Sequence, residues 1–195
     1  PNRFYEGNVL VESLCMEGGL TSAELFAPLG RYGCDPSVQL VEHMYRRFDE
    51  VFGKVDLIIQ PGDNTAHHTT AKLGQDPTGA MYRDVKDNLS EAYYLLGKWF
   101  PETPKLVSIG NNDGHYHDMA IGELRKKDYY SFLYEHLMES MPGNERLRTQ
   151  EVYQTLTAGG YYRFDYSERV SILVVNAMYC DKGDELNQRG EGLAE

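Results

Sequence analysis

Two short stretches of this chain combine glycine, side-chain oxygens and imidazoles. The first is Gly62-Asp63-Asn64-Thr65-Ala66-His67-His68. The second is Gly110-Asn111-Asn112-Asp113-Gly114-His115-Tyr116-His117-Asp118. Carboxylates, amide oxygens and imidazole nitrogens together suit a borderline divalent ion such as zinc, manganese or iron. Glycine at the head of each stretch lets the chain turn sharply and lets a ligand approach the backbone. Either stretch alone reads as an ordinary Asx-turn, and His68 and His115 read as solvated loop. Two such stretches, each following an apolar run, point to a site.

Those runs are the elements that must position the site. Val55-Asp56-Leu57-Ile58-Ile59 predicts a buried strand that stops at the first stretch, and Lys105-Leu106-Val107-Ser108-Ile109 predicts a second that stops at the other. Ligands gather at the carboxyl ends of strands in open α/β sheets. Asp35-Pro36 predicts a helix start with Asp35 as N-cap, and Val38, Val41, Met44, Tyr45, Phe48 and Phe52 follow at helical spacing until Gly53. Further helices are expected over about 82–100, 127–141 and 146–156, broken by Gly159-Gly160, with a hairpin over 161–165 and 170–176. Residues 1–34 read as loop-rich, and those from Asp181 onward as a polar, frayed or cut end. The order argues for an α/β protein with helices packed on a mixed sheet, in one domain over residues 1–195.

Composition narrows the function. A length of 195 residues is enough for one full core. The net charge of -11 argues against generic nucleic-acid binding, which needs Lys and Arg to displace phosphate counterions. It also repels a polyanion unless metal ions or a basic patch offset it. No apolar run reaches the ~18 residues of a membrane span. The chain starts at Pro1 without a signal-peptide pattern and reads as a partial chain. A Gly-x-Ser-x-Gly elbow and a Walker or Gly-x-Gly-x-x-Gly loop are both missing, which argues against a serine hydrolase and a nucleotide-binding module. Cys15 and Cys34 flank a Gly- and Pro-rich segment that a disulfide could close; three ordinary thiols, with Cys180, is an equal reading of the spacing. Asn88-Leu89-Ser90 is a glycosylation acceptor pattern, relevant only to a secreted protein.

The blocks resemble a family. Gly62-Asp63 looks like the second block of calcineurin-like metallophosphoesterases, and Gly110-Asn111-Asn112-Asp113 like the third, with Asn112 where most members carry His. Gly-Asn-Asn-Asp followed by a His at the place of His117 is similar to the endopolyphosphatase branch. Gly62 to His67, Tyr32-Gly33-Cys34-Asp35-Pro36, Gly159-Gly160-Tyr161-Tyr162 and Val170 to Asn176 resemble segments of acid sphingomyelinase-like enzymes, so the likeness spans nearly the whole chain.

The resemblance implies a sandwich of mixed β-sheets flanked by helices, incomplete in this chain. The Asp-x-His block and first strand are expected before Pro1, and the remaining His-rich metal blocks after Glu195. It implies hydrolysis of a phosphodiester, nucleotide or polyphosphate by hydroxide activated on two divalent ions, zinc first, then manganese or iron. Asp63 would bridge the metals and Asn111 would ligate one of them. His67 would protonate the leaving oxygen, Asn112 would donate a hydrogen bond, and Asn64 and His117 would line the substrate site. This branch is secreted or luminal, as in lysosome and vacuole, which favours a Cys15–Cys34 disulfide and leaves Cys180 for a partner downstream. With two of the ligands, the chain alone is expected to bind metal poorly and to show little activity. The alternative is a non-catalytic relative that keeps the fold as a binding or scaffold domain.

Overall fold

A computed structural model describes residue 29 and residues 35–66, 69–70, 76 and 78–180. Among these, the order is α1 (Val38–Phe52), β1 (Ile58–Gln60), α2 (Ala80–Trp99), β2 (Lys105–Val107), α3 (Glu123–Tyr134), α4 (Gln150–Gly159), β3 (Tyr162–Ser167) and β4 (Val170–Val174). A π-helical turn, Glu135–Glu139, continues α3, and 3-10 turns cover Glu145–Leu147 and Ala177–Cys180. The chain is α/β in character, as its pattern predicts.

Helix α1 is capped by Ser37, whose hydroxyl accepts the Leu40 amide at 3.2 Å, and not by Asp35. Ser and Asp cap about equally well; Ser37 holds the extended backbone one step before the helix. Gly53, at φ 59°, ends it. Helix α2 turns Tyr82, Val85, Leu89, Tyr93 and Leu96 inward at spacings of three and four. They pack in one core with Leu106 and Val107 of β2, Tyr129, Tyr130 and Leu133 of α3, Leu156 of α4, and Tyr162 and Phe164 of β3. Each such large side chain contributes roughly 1.5–3 kcal/mol by leaving water. Asn88-Leu89-Ser90 therefore lies inside α2 with Leu89 fully buried, not in a surface loop.

β1 and β2 pair in parallel, with Ile58 opposite Lys105 and Gln60 opposite Val107. The Ile58 amide donates to Pro104 O and the Ser108 amide to Gln60 O, each at 3.0 Å. β2 is buried throughout, as expected. β1 is not: Ile59 is 62% exposed, because side chains alternate between the two faces of a strand and the face Ile59 points to is uncovered among the described residues.

Among the described residues the expected single mixed sheet is instead two separate pairs, β1–β2 parallel and β3–β4 antiparallel. In a parallel ladder a residue's N–H and C=O face one side and its neighbour's face the other. The groups of Lys105 and Val107 thus face away from β1, and side chains meet them. Asn144 accepts the Lys105 amide at 2.7 Å and donates to the Lys105 carbonyl at 3.1 Å. The Tyr162 hydroxyl accepts the Val107 amide at 2.9 Å and donates to the Val107 carbonyl at 3.0 Å. An amide and a phenol stand where a third strand would pair. Tyr162 itself belongs to β3, so this contact joins the hairpin to β2 without merging the sheets.

Candidate active site

The turns after β1 and β2 lie against each other. Gly62 has φ 104° and Asp63 φ 54°. A Cβ on Gly62 would run into the Gly110 amide, and one on Gly110 would meet Asp63. Glycine at both places is what lets the backbones touch.

Asp113 locks the pair. Its side chain is fully buried and accepts the amides of Asn64 at 2.7 Å, Thr65 at 3.1 Å and Gly110 at 2.9 Å. The Asn64 side-chain amide adds a bond at 3.3 Å, and the Thr65 hydroxyl another at 3.3 Å. Burial pushes the Asp113 carboxyl above its usual range, against the opposing pull of the Gly110, Asn64 and Thr65 amides. In return Asp63 accepts the Asn112 amide at 3.1 Å, and the Thr65 hydroxyl donates to the Asn112 carbonyl.

The residues singled out in the sequence fall into two groups. Asp63, Asn64 and Asn112 line a cavity of about 290 Å³ beside α1 and α2, with Asp35, Asp87 and Glu91. No Lys or Arg lines it among the described residues. Asn112 is 2% exposed, and its Oδ1 is buried with no hydrogen-bond partner among the described residues. Carboxylates and an unmet amide oxygen with no basic neighbour suit a cation. Both ends of the Asn64 amide are engaged, one donating to Asp113 and the other accepting from Gln60.

Asn111 and His117 form the second group. The Asn111 amide nitrogen donates to Asp118 at 2.8 Å and lies 3.3 Å from His117 Nε2. His117 Nδ1 sits 2.8 Å from Asp118. A carboxylate only accepts and an NH₂ only donates. The neutral imidazole with its proton on Nδ1 satisfies both partners, and the Asn111 Oδ1 is left out of these bonds.

His67 and His68 lie outside the described residues, as do Cys15 and Cys34; Cys180 is exposed. Among the described residues no group of three or more His, Cys, Asp or Glu side chains is placed to share a metal ion, and no helix is long and apolar enough to cross a membrane.

His115 contradicts its reading as solvated loop. It is 4% exposed, its Nε2 is 3.1 Å from Asp76, and its ring stacks on Tyr116 at 3.9 Å. Burial pushes its pKa down, and the bond to Asp76 pulls it back up in part. Nothing in local spacing links position 76 to 115. Asp113 carried a signal, as the acid closing the third block, but its role as a clamp depends on which amides face it. Asp118, at φ 58°, carried none beyond following a His.

No protein-family model matches the chain. It is 24% identical to the sphingomyelinase phosphodiesterase C of Dictyostelium discoideum over 172 residues, 88% of this chain and 33% of that protein. It is 26% identical to the endopolyphosphatase of Schizosaccharomyces pombe, over 92% of this chain and 31% of that one. The chain is a relative of sphingomyelin phosphodiesterases and endopolyphosphatases. The human acid sphingomyelinase-like phosphodiesterase 3b is 28% identical over 102 residues, 52% of this chain and 21% of that protein. The chain thus spans about a third or less of the length of these relatives.

Proposed function

We propose that this chain forms part of a metal-dependent hydrolase of phosphodiesters or polyphosphate. One observation carries the reading: two parallel strands deliver two glycine-led turns into contact, with Asp63 and Asn112 facing a carboxylate-lined cavity. A phosphate cannot enter such a lining without cations to offset it. The names of the relatives supply the bond type. Asp63 and Asn111 are the chain's metal-holding candidates, with zinc, manganese or iron as the ion. Bound ions would neutralise the phosphate and lower the pKa of attacking water.

The rest falls to the chain's own residues. Asp113 fixes the distance between the two turns. Asp118 turns the Asn111 amide so that its oxygen is left for a ligand. His117, held by Asp118 at Nδ1 and by the Asn111 amide at Nε2, is the proposed lining of the substrate site. His67 is the proposed proton donor to the leaving oxygen, and Asn112 the amide donor. The exposed Ile59 edge of β1, beside an apolar groove of about 460 Å³, supports a larger sandwich around this piece. A Cys15–Cys34 disulfide and a secreted or luminal location complete the proposal; thiol titration with and without reductant tests the disulfide.

The full-length protein, stripped with chelator, should hydrolyse bis(p-nitrophenyl) phosphate or polyphosphate only when zinc or manganese is restored. Asp63→Asn should lower kcat by at least ~100-fold. Absence of hydrolysis with every metal would leave the non-catalytic relative as the reading.

A further inference from the structure

We propose that His115 is a positioning residue: its imidazole ties the 110–118 turn to the Asp76 carboxylate at the N-terminus of α2, and so sets where Asn111 and His117 stand. The tether rests on geometry alone; its consequence for metal binding rests on the phosphoesterase reading.

Asp76 is already committed to α2. Gly79, the N-cap residue, offers no side chain, and Asp76 accepts the Tyr82 amide at 3.1 Å in its place. Amides of Met81 and Ala80 point at the same carboxylate. These donors, with His115, overcome the cost of burial and hold Asp76 below its usual range, so it stays ionised. An ionised carboxylate only accepts, so His115 donates from Nε2. The two side chains are 5% and 3% exposed, so the contact is shielded from water and salt.

The 110–118 turn has its other anchor at its start. Asp113 grips the β1 turn, and its carbonyl accepts the Tyr129 hydroxyl at 2.7 Å. Beyond Asp113 the chain must carry His117 and return to Asn111, where the Asp118 amide donates to the Asn111 carbonyl at 3.2 Å. Among the described residues, His115 is the side chain whose hydrogen bond pins this second half to a helix start. Tyr116 and Tyr82 flank its ring, at 3.9 and 5.0 Å between centroids, and keep the ring in one plane. An aromatic pocket of this kind would accept Phe as readily for packing alone; a buried hydrogen bond to a carboxylate also fixes the orientation of the ring. Two anchors on two elements fix where Asn111 and His117 stand; one anchor leaves the second half of the turn free to pivot about Asp113.

The test uses the full-length protein with His115→Phe, which keeps a ring without the bond, and His115→Gln, whose Nε2 can reach Asp76. Amide hydrogen exchange is read at residues 111–118, with Leu89 and Tyr93 of α2 as internal controls, and Mn²⁺ affinity is measured by calorimetry. His115→Phe should speed exchange in the turn and weaken Mn²⁺ binding, each by about tenfold, with the controls unchanged; His115→Gln should bring both back to within about threefold of wild type. The proposal is overturned if the Phe variant matches wild type in the turn, if Gln does no better than Phe, or if the controls accelerate equally. If wild type itself neither binds Mn²⁺ nor hydrolyses phosphoesters, the phosphoesterase reading fails while the exchange data still decide the tether.

Discussion

Replacing Asp113 by Asn keeps the shape of the clamp and changes its chemistry. One carboxylate oxygen takes two amides, from Asn64 and Thr65, and the other takes the Gly110 amide. With Asn, the surviving oxygen can serve the first pair. The NH₂ then faces the Gly110 N–H, donor against donor. An unmet buried donor costs about 1–3 kcal/mol, and two bonds to a charged acceptor become neutral ones at a loss of about 1 kcal/mol each. Burying an amide in place of a carboxylate returns about 1 kcal/mol of desolvation. The net destabilisation is about 3 kcal/mol, a large share of the roughly 5–15 kcal/mol typical of a domain. Urea unfolding followed by Trp99 fluorescence, the chain's one tryptophan, and by far-ultraviolet circular dichroism measures it. Asp113→Ala, which leaves all three amides unmet, should cost at least as much. An Asn variant within about 0.5 kcal/mol of wild type would refute the clamp.

Other perturbations follow from the same geometry. Gly62→Ala places a Cβ against the Gly110 amide at φ 104° and should lower stability by about 3 kcal/mol, read as a shift in the urea midpoint. Tyr162→Phe strips the hydroxyl that meets both the amide and the carbonyl of Val107, at a cost of about 2 kcal/mol; a loss under about 0.5 kcal/mol would show that water replaces it. Burial lowers Lys105 from 10.5 to about 8, while its ammonium donates to the carbonyls of Phe100 and Pro142. Folded chains therefore release this proton near pH 8 and unfolded chains near 10.5, so between those values the unfolded state binds more protons and stability rises with pH. From pH 8 to 9.5 wild type should gain about 1.6 kcal/mol relative to Lys105→Met; parallel pH profiles for the two proteins would contradict this.

Much of the fold was legible because it is written in local patterns. The buried face of α2 follows from apolar spacing, and Gly53 and Gly160 end helices where a left-handed or turn backbone was expected. The strand after Pro104 was found because a fully buried strand is a continuous apolar run. The strand before Pro61 looks the same in sequence yet is an open edge with Ile59 exposed; a short apolar run does not say how many neighbours it has. Helix α3 begins earlier than its apolar period suggests, at Glu123, because the one apolar side chain of its first turn, Leu124, is fully exposed and belongs to no buried stripe.

The sequence by itself determined the α/β order, the two glycine-led turns at strand ends, and the oxygen and imidazole chemistry they carry, since these depend on residues adjacent in the chain. Tertiary structure alone decided which of those residues share a cavity. It turned Asn112 inward and Asn111 toward Asp118, made Asp113 a clamp, and buried His115 against Asp76. It also used Asn144 and Tyr162 to close the edge of β2, so that one expected sheet became two. The clamp, the His115–Asp76 contact and the closed edge of β2 each rest on a donor and an acceptor brought together from distant parts of the chain, and no local spacing encodes such a meeting.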